Sequence, residues 1–273
     1  LAGDVEVYAV PMALAPEDQL DRLLREHPLA VIARLRLKCK PSASVLYDAL
    51  ADPAVGEALL EVLARKRTLH GRRGQIRSFT TRAFRPLLPK GQPLPPPTIM
   101  RAEQSNTSIR FGDRLILKLI RKLSPGVNPD FEIGRLLTEK RFPHCAPTAG
   151  AIELRLNPAE PMTIAILQGF VTNQGDAWSY TLDHLGRYFE AAMEQPLPIL
   201  PSASPADLLD AALPDEAAGL IGDFLGSVRL LGRRTAEMHM CLASEQNLPE
   251  FKPEAFSKLY QRALYQSMRT QVG

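Results

Sequence analysis

The clearest alternation of apolar and polar positions lies in QSNTSIRFGDRLILK, residues 104–118. Ile109 and Phe111 alternate with polar neighbours up to Gly112-Asp113, and Leu115, Leu117 and Leu119 alternate again beyond it. A period of two on both sides of a Gly-Asp pair predicts a β-hairpin. Glycine in the first central position of a two-residue loop suits a type II′ turn, whose twist matches that of the strands. On the second strand Leu115, Leu117 and Leu119 share one face, while Lys118 stands between Ile116 and Ile120 on the other. An ammonium flanked by apolar side chains is costly to desolvate unless an acid or a phosphate meets it. Lys118 is therefore expected to border a cleft that holds an anion. The alternative is a lysine on an edge strand whose stem snorkels to water.

The pattern then changes period. Ser124-Pro125-Gly126 makes a turn, and Asn128 followed by Pro129 is an N-cap with proline at the first helical position. Ile133, Leu136 and Leu137 form an i, i+3, i+4 stripe on the helix that follows, with Glu132 beside it. A hairpin, a lysine on its second strand and a helix offering a glutamate is the layout with which protein-kinase-like enzymes hold nucleotide phosphates. Glu132 is expected to orient Lys118, with Glu139 as substitute. The other reading of Glu132 is an acid that favours the first turn of its helix. Further on, PMTIAILQGFV (residues 161–171) suits a buried strand that breaks into a hinge at Thr172–Asp176. The backbone around Gln168, Phe170 and Val171 is expected to meet an adenine edge. Asp176 opens a helix with Trp178, Leu182, Leu185 and Phe189 on one side, so its default role is N-cap and its alternative a ribose contact. Ser105, Asn106 and Thr107 are expected to lie over the phosphates in place of a glycine-rich loop, since hydroxyl and amide groups can donate to phosphate oxygens. An ordinary polar turn is the other account of that run.

Punctuation divides the chain. Residues 1–85 mix strands at Val5–Ala9 and Ala30–Leu35 with a helix begun by Asp52-Pro53, whose stripe is Val55, Ala58, Leu59, Val62 and Leu63. LLPKGQPLPPPT dominates residues 86–98, where proline excludes helix and favours an extended linker. Residues 99–193 carry the expected nucleotide site, 194–215 a second proline-rich linker, and 216–273 helices. Asp223-Phe224-Leu225-Gly226 imitates a metal-binding motif, yet Phe224, Val228, Leu231, Thr235, Met238 and Leu242 place it on a helix face. His239 on that helix is expected to be packed or capping. Beyond Pro253, Phe256, Leu259, Tyr260, Ala263, Leu264 and Met268 form a stripe that wants a surface to cover.

Two long runs, AEQSNTSIRFGDRLILKLIRKLSPGVNPDFEIGRLLTE and EPMTIAILQGFVTNQGDAWSYTLDHLGRYFE, closely resemble the maltokinase family, which is often fused behind a trehalose synthase domain. LYDALADPAVGEALLEVLARKRTLHGRRGQ is similar to that family's N-terminal cap, and LLGRRTAEMHMCLAS with FSKLYQRALYQSMR to the start of its helical lobe. The resemblance implies an α+β fold like that of protein kinases and aminoglycoside phosphotransferases. It implies transfer of the γ-phosphate of ATP to the anomeric hydroxyl of maltose, with magnesium, in the conversion of trehalose-derived maltose to maltose 1-phosphate for α-glucan synthesis. A trehalose synthase domain, in cis or in trans, is the implied partner. Such kinases need an aspartate in a motif like HGDxHxGQ and a later aspartate for the metal. Neither motif is present, so no catalytic residue and no metal ligand is assigned here. The sequence begins at Leu1 and stops at Gly273, where the family's catalytic loop would follow, and is expected to be an N-terminal fragment that binds nucleotide without turnover. The rival classes are a related phosphotransferase for another small hydroxyl substrate and a non-catalytic assembly module of a trehalose synthase (maltose α-D-glucosyltransferase).

Composition narrows the setting. With 273 residues, 45% of them hydrophobic, the chain can build two modest domains with real cores. No apolar run reaches membrane-spanning length and no leader is visible, so neither membrane nor export is expected. Three distant cysteines, Cys39, Cys145 and Cys241, make a disulfide framework or zinc site improbable and suit a cytoplasmic setting. A net charge of +3 does not imply nucleic acid. The basic cluster Arg65, Lys66, Arg67, His70, Arg72, Arg73 and Arg77 follows the Asp52 helix, where cations complement the dipole and Gly71 can end the helix.

Overall fold

The computed structural model describes residues 6–38, 42–89, 91–100, 106–156, 160–194, 204, 207 and 211–272. Two units divide the chain, residues 1–194 and 195–273. The first contains strands β1 (Val7–Tyr8), β2 (Met12–Pro16), β3 (Val31–Arg36), β4 (Ala43–Asp48), β5 (Thr68–His70), β6 (Gly74–Thr80), β7 (Thr98–Met100), β8 (Asn106–Phe111), β9 (Leu115–Ile120), β10 (Lys122–Leu123), β11 (Thr148–Leu156) and β12 (Met162–Gly169). Its helices are α1 (Leu20–Glu26), α2 (Pro53–Ala64), the one-turn α3 (Phe84–Leu87), α4 (Pro129–Glu139) and α5 (Ala177–Met193). The architecture is α+β, as expected. Among the described residues, seven strands form one antiparallel sheet in the order β5-β6-β11-β12-β9-β8-β7.

That sheet is covered on both faces. Leu115, Leu117 and Leu119 of β9, all at most 1% exposed, meet Ile109 and Phe111 of β8 and Leu63 of α2 in the main core. Full burial of each such leucine contributes about 1.5–3 kcal/mol, so this face holds the hairpin in place. On the opposite face Phe131 of α4 packs with Ala151, Ile166 and Ile120. A smaller sheet, β2-β4-β3, packs on α1 through Ala15, Leu20, Leu23, Val45 and Tyr47.

Three sequence expectations change. Phe111 pairs with Leu115, so the hairpin loop is Gly112-Asp113-Arg114, three residues rather than two, with Gly112 at φ +56°. A shift of one residue flips a strand's faces. The two-residue loop would have placed Ile109 and Phe111 beside Lys118; the three-residue loop joins them to the leucine face and sets Ser108 opposite Lys118. Second, the cap-like region shares a sheet with the nucleotide region: β6 pairs with β11 from Gly74 to Thr80, so the spatial boundary falls near residue 194. The proline-rich stretch between them lies on the core through Leu87, Leu88 and Leu94. Third, α2 stops at Ala64, ahead of Gly71, with Lys66 at φ +49° and the Arg67 amide donating to the Val62 carbonyl at 3.1 Å. That is a Schellman ending with lysine where glycine is usual. α4 ends the same way at Arg141, φ +56°.

The second unit holds α6 (Asp215–Ile221), α7 (Phe224–Ala243) and α8 (Lys258–Val272). Asp223 directly precedes α7, in agreement with the helix-face reading of the Asp-Phe-Leu-Gly run. Leu259, Tyr260, Leu264 and Met268 of α8 are exposed. No helix among the described residues is long and apolar enough to cross a membrane.

Candidate functional site

Lys118 lies on an inner strand. β9 is paired with β8 on one side and β12 on the other, which removes the edge-strand account of this lysine. Its cross-strand neighbours are Ser108 and Ile166. The next row on the same face is Arg110, Ile116, Gln168 and Thr148. Above these rows runs α4, started by the Asn128 side chain, which accepts hydrogen bonds from the amides of Asp130 (2.9 Å) and Phe131 (3.4 Å). Gly134 lets the helix approach closely, since a Cβ there would stand 2.3 Å from Thr148 Oγ1.

Between helix and sheet opens a cleft of about 260 Å³ lined by Lys118, Asp130, Ile133, Leu137, Ile166 and Gln168. Lys118 Nζ lies 3.8 Å from Asp130 Oδ2, with the two side chains 32% and 69% exposed. An ion pair this open is worth about 0.2–1 kcal/mol, too little to hold the ammonium against a triphosphate. The acid that meets Lys118 is thus Asp130, and the assignment of Glu132 or Glu139 is corrected. The reason is the helical angle of 100° per residue. Asp130, Ile133 and Leu137 form one row and face the cleft. Glu132 lies on the row of Arg135 and Glu139, and the latter two line a separate cleft with Phe131 and Glu153 on the other flank. In that second cleft burial raises the Glu153 carboxyl above its ordinary range, against the opposing pull of Arg155, Arg77 and Arg135. We expect Asp130→Asn to lower affinity for an ATP analogue by up to about fivefold, the worth of an open pair. Glu132→Gln should leave it unchanged, and parallel calorimetric titrations decide between them.

The polar run before the hairpin is split by the strand. Asn106 pairs with Ile120 on the Lys118 side. Thr107 pairs with Leu119 on the opposite face, where its hydroxyl accepts a hydrogen bond from Arg121 Nε at 3.0 Å and Arg121 also reaches Asp48 at 2.5 Å. Thr107 is therefore a strut between the two sheets and is corrected as a phosphate contact. Ser105 lies outside the described residues. Ser108, which sequence reasoning passed over, faces the Lys118 row, is 2% exposed, and its Oγ has no hydrogen-bond partner among the described residues. Cross-strand pairing was the signal that would have found it.

At the hinge, Gln168 turns toward the cleft. The Gly169 amide donates to the Pro147 carbonyl at 2.9 Å and the Phe170 amide to the Arg114 carbonyl at 2.8 Å. Two amides of the expected adenine-binding stretch are thus engaged within the fold, and Val171 is its exposed member. The Phe170 ring carries the Arg110 guanidinium 4.3 Å from its centre. Asp176 is the N-cap of α5: its carboxylate accepts from the Ser179 amide at 2.7 Å and from the Ser179 hydroxyl at 3.2 Å. The backbone bond from Ser179 is the main cause that lowers its pKa. With both oxygens so used, capping replaces ribose contact as its role. A depressed carboxyl stabilises above its unfolded pKa, and the effect is lost as pH falls through the folded value. The Ser179 amide should accordingly keep its hydrogen-exchange protection through the ordinary aspartate range and lose it only at more acid pH, measured as the ratio to a mid-helix amide, and a pH-independent ratio would contradict this role.

No family model matches the chain. Among solved structures, the chain is similar to a glucosamine kinase in complex with glucosamine, ADP and inorganic phosphate, at 18% identity and TM-score 0.40, over 86% of this chain and 48% of that one. A second crystal form of a glucosamine kinase, form B, gives 19% identity and TM-score 0.40 over 82% and 50%. The chain spans about half the length of the solved structures it matches.

Proposed function

We propose that this chain is the nucleotide-binding part of an ATP-dependent sugar phosphotransferase, with maltose, converted to maltose 1-phosphate, as the substrate of the whole enzyme. One observation carries the nucleotide reading: an ammonium on an inner strand, loosely held at 3.8 Å by an exposed acid, at the mouth of a cleft that Gln168 also lines. Lys118 binds and orients the phosphates, Asp130 keeps its head over the cleft, and α4 offers the positive end of its dipole at the same mouth. The hinge at Gln168–Val171 receives the base. Maltose as the acceptor rests on the resemblance of the two long sequence runs to the maltokinase family.

Among the described residues no group of three acid, histidine or cysteine side chains is placed to hold a metal ion. Calorimetric titration with a non-hydrolysable ATP analogue tests the reading. One saturable site and a higher Tm in its presence are the expected results. A folded chain that neither binds nor is protected would sink it and favour the second reading, an assembly module of a trehalose synthase. One observation favours that second reading: the α5 row Trp178, Leu182, Leu185 and Phe189 is exposed, with Trp178 at 74%.

A further inference from the structure

We infer that a separate basic cleft, formed by the C-terminal end of α2, the end of β6 and α3, binds a small phosphomonoester that carries an apolar group. The cleft measures about 720 Å³, within the usual span of small-molecule sites. Lys66, Arg82 and Arg85 line it, and no carboxylate does. None of the three forms an ion pair among the described residues, whereas neighbouring Arg65 is tied to Glu61 at 2.7 Å. The α2 dipole accounts for a cation at Lys66. It does not account for the convergence of Arg82 and Arg85, from a different segment, on the same concavity.

Three like charges around one hollow repel one another, and a dianion removes that repulsion. The two guanidiniums suit phosphate because each presents a planar fork of donors. Arg82 is partly fixed in place: its Nη1 donates to the Glu139 carbonyl at 3.3 Å. Phe84, Leu88 and Pro89 supply an apolar wall beside the cations, which a bare phosphate would leave unused. This cleft is distinct from the one at Lys118. Arg82 touches the last residue of α4 and Asp130 stands in its first turn, about 14 Å apart along the helix axis.

The test titrates the whole chain with phenyl phosphate and, separately, with inorganic phosphate, by calorimetry. Phenyl phosphate should bind about tenfold more tightly, the worth of roughly 55 Å² of apolar contact. Lys66→Gly and Arg85→Gln should each weaken it by about fivefold or more, in the range of one charged contact. Lys122→Ala, which removes an exposed cation outside both clefts, should leave it unchanged. Lys66→Gly also separates binding from folding: glycine suits the +49° φ, so this variant should melt no lower than the wild type while it binds less. Absence of saturable phenyl phosphate binding by the folded wild type overturns the proposal. So does equal binding by wild type and both cleft variants, equal affinity for the two probes, or loss of binding in Lys122→Ala.

Discussion

Lys118→Ala is expected to lower the affinity of the chain for an ATP analogue by about 100-fold, the upper end of what charge-assisted contacts contribute. The effect is large because β9 is an inner strand, so the backbone on either side of the lysine is held by two ladders. The ammonium therefore arrives at the cleft already positioned, and little ordering is left to oppose binding. Stability should hardly change. Among the described residues Lys118 forms its ion pair with Asp130 at 3.8 Å, both side chains partly in water, and such pairs contribute below about 1 kcal/mol. Lys118→Arg should recover only part of the affinity, since a planar fork does not reproduce a compact ammonium on the same short reach. Calorimetry with the analogue, beside urea denaturation of the same samples, measures both quantities. Wild-type affinity in a folded Lys118→Ala chain would remove this lysine from the site.

One residue earlier on the same strand, Leu117→Ala should cost about 2–5 kcal/mol of folding free energy, the range for a buried leucine truncated in a packed core. Leu117 is 0% exposed and lies in the core with Ile109, Phe111 and Leu63. Its immediate neighbour faces the opposite side of the sheet, so the two substitutions separate folding from binding. Below its lowered melting temperature, the Leu117→Ala chain should retain analogue affinity within a few-fold, because the lysine face is untouched. Urea denaturation reads the first effect and titration at low temperature the second. A loss under 1 kcal/mol would mean that this core is not the one that sustains the sheet.

The contrast between neighbours explains how much was legible in advance. A two-residue period separates Leu115, Leu117 and Leu119 from Lys118, and this needs no tertiary information. The Asn128 cap, the Asp52 cap and the Asp176 cap were likewise local, because side chain and amide lie two or three residues apart. Glu132 as the acid for Lys118 was not recoverable in that way. Asp130, Glu132 and Glu139 all belong to one helix, and only its rotation on the sheet, set by Phe131 and the close approach at Gly134, decides which acid faces the lysine. Thr107 shows the same limit on a strand. A hairpin loop one residue longer than expected turned it toward Arg121 and brought Ser108 opposite Lys118.

The amino-acid order by itself determined the hairpin, the capped helices, the buried strand and the place of the lysine between two apolar neighbours, since each depends on local spacing. The tertiary structure alone decided that β6 joins the sheet of the hairpin, that Asp130 is the acid facing Lys118, and that Lys66, Arg82 and Arg85 share one hollow. These depend on strand register and helix rotation, which are selected by packing between segments far apart in the chain. A shift of one residue or 100° changes every partner while leaving the local pattern intact.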